Sequence, residues 1–579
     1  MIMPVIVRLG AALLLVSALA PAQQQSPSPD TVAGLIDDHI FTKMKRDGVR
    51  HASLASDPEF LRRIYLDLTG RLPEPAVAVK FLADKDPEKR QKLIDSLFPP
   101  LPVPGMRAVS EDPFLDRWTY FFCDLFRNGQ LLQEGINTFY DYIYKNLTLN
   151  VPYDDFVRDM ITASAVSTWT NGPANFLARN RVFEGDGYVM NQEDTDDEIA
   201  ITTGRLFLGV NLECVSCHDG KGHLEKINLW LSQRKRADVW RQASFFGKTY
   251  ISPEFGRFPQ FIVKDSRKGY DLTTVSSSRP RRNPKEDVTP TFILDGAHPY
   301  PGEKERPAFA RMITSHPQFA RATVNLIWAE LMGAGIVDPP FEFDLSRQDP
   351  ANPPPAPWTI QPSHPELLDA LATDFRTHNH DLRRLIRGIV SSKAYQLSSQ
   401  FPGEWKESYD SYFARRKVRR LSAEQAWDAI SQLNTVFTEI KVTYSAKKAK
   451  YIMQTHSPQD IDKTDRPLYK ILQAFGQCDR YDAEASRRPS MTQAALLLNG
   501  KMVRERVQVQ KGSRLEMLLK SDKPTARQDL LNELFLAALS RYPSKDEAAI
   551  GMEALQDNKE QGAEDLTWAM INRLDFLFY

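Results

Sequence analysis

The chain has 579 residues, and its 74 lysine and arginine side chains are balanced by 74 aspartates and glutamates. That length leaves room for two or three domains, and the zero net charge gives no bulk attraction to nucleic acid or to an anionic membrane. Four cysteines, Cys123, Cys214, Cys217 and Cys478, are too few for a disulfide scaffold.

Residues 1–22 read as a signal peptide: an apolar run from Leu9 to Ala20, then the small-residue site Ala20-Pro21-Ala22 before Gln23. A run of about a dozen apolar residues is too short to span a bilayer, which needs roughly 20, and no later stretch is long and charge-free enough. The expectation is a periplasmic or secreted protein without a transmembrane segment. Residues 23–29 form a polar linker, and order is expected from Asp30.

From Asp57 the spacing of Phe60, Leu61, Ile64 and Leu68 predicts a helix that stops at Gly70, with Pro73 just beyond. A second helix follows from Pro75. Asp86-Pro87-Glu88 predicts the start of a third, which carries Leu93, Leu97 and Phe98. After a proline-rich break, the aromatic segment Phe114 to Phe126 is expected to be helical, with most of its rings in the core. Helical patterns continue through Tyr140 to Leu147 and Tyr153 to Met160.

The acidic run Glu193 to Glu198 lacks the glycine-centred spacing of a calcium loop and is expected to be solvated loop. The basic runs Arg279 to Arg282 and Arg415 to Arg420 are likewise expected to be solvated. Between Tyr250 and Pro301, Gly, Pro, Ser and Thr become common, and short β-prone pieces appear at Phe261-Ile262-Val263 and Thr291-Phe292-Ile293. Helical periodicity resumes at Pro307, gives way to a surface loop over Asp349 to Pro357, and opens again at Ser363-His364-Pro365-Glu366. The expected fold is mainly α: two helical domains, 30–249 and 306–579, joined by an irregular region, 250–305, with minor β-structure.

Leu212-Glu213-Cys214-Val215-Ser216-Cys217-His218 contains the C-x-x-C-H pattern. Two thiols three apart on one helical turn can each add to a vinyl group of haem, and the adjacent imidazole can ligate the iron. The expected cofactor is one covalent haem c, held by Cys214 and Cys217 with His218 as proximal ligand. Two other readings stay open: a disulfide between the two cysteines, or a zinc site that adds His218 and His223. Zinc is less natural because Cys217 and His218 are adjacent. Met160, Met190, His298 and His364 are candidates for a distal ligand, and the sequence favours none of them. No G-x-S-x-G elbow, H-E-x-x-H helix or phosphate-cradling glycine loop is present.

The chain resembles exported proteins built from the paired domain-of-unknown-function families fifteen-forty-nine and fifteen-fifty-three, which are associated with planctomycete-type cytochrome c domains. In the first half the resemblance is carried by Arg63 to Pro73, Asn150 to Phe156, and Phe207 to Val210 leading into the cysteine motif. In the second half it is carried by Phe319 to Trp328, Gly333 to Val337, Ser363 to Leu368, Ser392 to Ser399, Arg419 to Glu424, and Thr492 to Asn499. One departure is local: the family pattern continues as C-H-D/N-H-P, whereas His218-Asp219 is followed here by Gly220-Lys221-Gly222-His223. The other is that the leader runs directly into the first domain, so a redox role is expected to rest on the internal motif. The resemblance implies a secreted protein linked to polysaccharide or sulfate-ester catabolism, with a periplasmic redox protein or a glycan as partner. Whether it is an enzyme stays open, and the competing reading is a non-redox binding or scaffold protein.

Overall fold

The computed structural model describes residues 29–102, 111–184, 189–254, 260–276, 278–480, 486 and 488–579; the expected signal peptide lies outside them. Among these residues the chain is mainly helical, with three small two-stranded antiparallel sheets. No helix among them is long and apolar enough to cross a membrane.

The helix Asp57–Thr69 forms where its apolar spacing places it. Ser56 caps it by accepting the Glu59 amide at 3.4 Å, and Gly70, at φ 69°, ends it in the left-handed conformation that glycine adopts without strain. Pro75–Ala83 follows as expected. The third helix starts later than expected, at Lys89. Asp86 turns its carboxylate onto the Glu88 amide (2.8 Å) and so makes a local turn ahead of the helix. The aromatic helix Pro113–Leu125 buries Phe114, Trp118, Tyr120 and Phe122.

In the 250–305 region, Thr249–Pro253 pairs antiparallel with Phe261–Asp265. Thr291 to Ile293 is not a strand: Phe292 accepts the Gly296 amide and donates to Ala297 O, a turn that drops its ring into the core. Two helices, Glu305–Ser315 and Pro317–Met332, stand where one run of periodicity was read, because Pro317 cannot continue the first.

Apolar packing forms one large core, from Val32 through Ala414 together with Leu536, a second, from Leu421 onward, that also takes Leu66 and Leu72, and a small third around Trp240 and Tyr270. The Asp57–Thr69 helix therefore serves the first two: Phe60, Leu61, Ile64 and Leu68 enter the first core and Leu66 the second. Its polar side chains complete the join. Asp67 is buried and receives Arg416 (2.9 Å), Arg419, the Tyr395 hydroxyl (2.8 Å) and the Tyr579 hydroxyl (2.9 Å). Burial opposes its charge, but Arg419 and Arg416 hold the carboxyl below its usual range. Arg63 donates to the carbonyls of Tyr395 (2.8 Å) and Leu397 (2.9 Å), and Arg62 to those of Ala538 and Phe576. The basic run at 415–420 is thus not a solvated face, since Arg416, Arg419 and Arg420 are all buried.

Two buried imidazoles make acid sensitivity testable. His456 stacks on Tyr140 at 3.7 Å, pairs its Nδ1 with Asn137 Oδ1 at 2.7 Å, and is held well below its ordinary pKa by burial and then by Lys447 and Arg480. His364 is lowered to about 3, again mainly by burial. The unfolded chain takes up these protons near pH 6.5 and the native state does not. Their contribution to stability is therefore complete above about pH 6.5 and is lost as pH falls, by about 1.4 kcal/mol per unit per group. His456→Asn is expected to flatten the fall in urea midpoint between about pH 7 and about pH 5. An unchanged slope would count against a neutral buried imidazole.

Candidate functional site

The helix Gln192–Leu208 contains the acidic run, which is buried and not solvated: Glu193, Asp194, Asp196 and Asp197 are each less than 10% exposed. Asn191 caps this helix by accepting the Asp194 amide at 2.9 Å. The charges are met by arginines from the glycine- and serine-rich segment that follows. Arg282 reaches Asp194 and Asp197 (2.7 Å to the latter), with the guanidinium and both carboxylates almost wholly excluded from solvent. Arg267 pairs with Asp196 at 2.6 Å and with Glu193. The Tyr270 hydroxyl donates to Asp197 at 2.6 Å, and Ser276 to Asp194 at 3.0 Å. Burial works against the Arg282 charge, yet Asp197, Tyr270 and Asp194 raise its pKa above the ordinary value, while burial raises the carboxyls of Asp196 and Asp197 against the pull of Arg267 and Arg282. This pairing leaves no vacant carboxylate cage for calcium. The second basic run, Arg279 to Arg282, is likewise structural, with Arg279 and Arg282 buried.

The same segment clamps the short helix Glu213–Cys217, which carries the cysteine motif. Arg279 donates through Nε to Ser216 Oγ (2.9 Å) and through Nη2 to Glu198. Arg236 donates to Ser216 O at 2.9 Å and to the carbonyls of Pro280 and Arg281. Val215 and Ser216 are buried, so the helix is fixed by its inner face. Cys214 is exposed and Cys217 partly exposed, and both are free thiols. Burial, then Glu213, Glu342 and Cys217, raise the Cys214 pKa.

The ring of His218 is oriented by its Nδ1, which lies 2.8 Å from the carbonyl of Asp219. Asp219 is held in turn, accepting the Arg236 amide at 2.8 Å. Gly220 then passes so close to the loop after Trp230 that a Cβ there would lie 1.9 Å from Leu231 O. No side chain fits at this position as the chain is folded. The chain turns through Gly222 (φ 88°) and brings His223 back with its ring centroid 4.4 Å from that of His218.

Cys214, Cys217 and His218 are therefore gathered on one turn. Among the described residues, no group of three or more His, Cys, Asp or Glu side chains is arranged to hold a metal ion. Of the distal-ligand candidates, Met160 is fully buried and Met190 lies in the hairpin leading to the acidic helix. His298 is exposed and bonded to Pro290 O (2.9 Å), and His364 is buried beside Phe413. Cys123 and Cys478 are also free thiols, pushed up to about 12 by burial and so protonated at neutral pH.

A cavity of about 470 Å³ adjoins the motif helix, walled by Glu213, Asn211, Arg205, Phe341, Cys478 and Arg480 among others. It was invisible in the sequence because its walls come from both halves of the chain. Asp124, which pairs with Arg480, also lines it, and burial raises its carboxyl to about 6.

Removing one partner from a buried ion pair leaves an uncompensated charge and costs about 3–5 kcal/mol. Asp197→Ala is accordingly expected to lower the urea midpoint sharply and to expose residues 266–282 to protease before the rest of the chain. An unchanged midpoint and digestion pattern would show that the cluster carries no such constraint.

Residues 35–248 match the family described as PSCyt2, a protein of unknown function (DUF1549), and residues 305–555 match PSD1, a protein of unknown function (DUF1553). No curated protein and no solved structure matches this chain. The two family matches together span most of the 579 residues, and the chain belongs to the proteins that carry this pair of domains, PSCyt2 followed by PSD1.

Proposed function

We propose that this is an exported c-type haem protein, in which Cys214 and Cys217 hold one haem through thioethers and His218 is the proximal iron ligand. The observation that carries the reading is the state of the motif. Two free thiols reach the surface from one rigid turn, and the adjacent imidazole has Nδ1 tied to a backbone carbonyl, which leaves Nε2 for a metal. In forming each thioether, a cysteine sulfur bonds to a vinyl carbon and the thiol hydrogen goes to the other vinyl carbon, so no external oxidant is needed. When bound, the haem supplies one-electron chemistry. The protein's own part is to fix both sulfurs through Val215 and Ser216 and to set the imidazole orientation through Asp219 and Arg236.

On this reading the protein transfers electrons to or from a periplasmic partner, or supports a haem-assisted oxidation. The link to polysaccharide breakdown rests on the family resemblance alone. The expected result is a pyridine haemochrome spectrum, with a Soret band that survives acid–acetone extraction, from protein exported in a host with c-type maturation. Cys214→Ser/Cys217→Ser should be colourless after the same extraction. Colourless wild-type protein from that host would overturn the proposal and leave the motif as a pair of structural or regulatory thiols.

A further inference from the structure

The loop that follows the cysteine motif gathers cations that the fold itself does not use. Lys221 and Lys226 lie on that loop, and a backbone bond from the Gly220 amide to Arg234 O (2.9 Å) sets Arg234 and Lys235 alongside it. Arg281 arrives from the later segment, where its carbonyl accepts from the Arg236 guanidinium at 2.9 Å. Lys221, Lys226, Lys235 and Arg281 are exposed, and none of them enters an ion pair among the described residues. Arg234 is half-buried, its guanidinium 4.5 Å from the centre of the Trp230 ring.

The nearby carboxylates are engaged by other groups. Asp219 accepts the Arg236 amide at 2.8 Å, Glu225 accepts the Gly222 amide, and Glu213 faces Arg279 at 3.7 Å. This face therefore carries an excess of positive charge on a chain whose charges balance overall. It differs from the buried arginines Arg267, Arg279 and Arg282, each of which meets a carboxylate. Among the cations stands an apolar side chain, Ile227, which is 69% exposed. An apolar centre within a charged, solvated rim is the pattern of a protein interface. Like charges held close without counterions attract a surface of opposite sign.

We propose that this face docks an acidic partner protein, with Ile227 at the centre of the contact and the cations around it. The proposal rests on the haem reading for what crosses the contact: one electron, lost by the haem iron and gained by the partner's redox centre, or the reverse. A protein is favoured over an anionic membrane because Asp219 and Glu225 interrupt the basic face and Ile227 alone offers little apolar surface to a lipid layer.

The test uses the matured full chain and a fluorescein-labelled oligoglutamate peptide as the acidic probe. Fluorescence anisotropy at low salt is expected to show saturable binding that weakens as ionic strength rises toward about 0.15 M. Lys221→Glu/Lys226→Glu/Lys235→Glu should weaken it about tenfold or more, since each reversal exchanges an attraction for a repulsion. Lys511→Glu/Lys523→Glu/Lys545→Glu makes the same change in net charge on exposed residues of the second half, and should weaken binding about threefold at most. Both variants should melt close to wild type, because the substituted side chains are exposed and outside any ion pair among the described residues. In the haem-loaded protein the peptide should also slow oxidation of the ferrous haem by hexacyanoferrate(III), an anion that takes one electron and is drawn to the same cations. No saturable binding, or an equal loss in the two variants, would overturn the proposal. So would binding to phosphatidylglycerol vesicles without binding to the peptide. Protein that binds the peptide through this face but carries no haem would uphold the docking surface and fail the haem reading.

Discussion

Four carboxylates on one buried helix, Glu193, Asp194, Asp196 and Asp197, could not remain charged away from water without partners, and Arg267 and Arg282, from a later segment of the chain, meet them. Arg267, Arg279 and Arg282 sit in a segment with little regular secondary structure, too rich in Gly, Ser and Pro to be held by its own backbone. The ion pairs give that segment its path. Arg279 in the same segment pairs with Glu198 and donates to Ser216, so the segment also holds the turn bearing Cys214, Cys217 and His218. An apolar replacement of such a cluster can be as stable as the original. What the charged version adds here is direction: each guanidinium has one geometry in which all its partners are met, so the loop and the motif helix are placed together.

A second node of the same kind, at Asp67, ties the helix that feeds the two larger apolar cores to Arg416 and Arg419. The two family matches end at 248 and resume at 305, whereas apolar packing runs on from Val32 to Ala414 before the second core begins. The cavity beside the motif helix follows from that interpenetration, since Arg205 and Glu213 come from the first matched region and Cys478 and Arg480 from the second.

What was legible in the sequence was local. The helix Asp57–Thr69, its glycine stop, the aromatic core helix and the cysteine motif all follow from spacing over a few residues, and they stand where spacing put them. The acidic run and both basic runs are largely buried where their composition predicts solvated faces, for one reason. Charge runs look solvated when only neighbours in sequence are visible, but Asp194 meets Arg282 from 88 residues away and Asp67 meets Arg416 from 349. Thr291 to Ile293 has the composition of a strand but no partner strand, and a turn served its backbone instead. The close approach of Gly220 to the Leu231 carbonyl could be seen only in three dimensions.

The account stands or falls on covalent attachment at one turn of helix. Tandem mass spectrometry of the proteolytic peptide spanning Cys214 to His218, from protein matured in a c-type host, tests it most directly. The account predicts that peptide carrying a single porphyrin fragment bonded to both sulfurs. The same peptide recovered with two unmodified thiols, or with only a bond between Cys214 and Cys217, would contradict it.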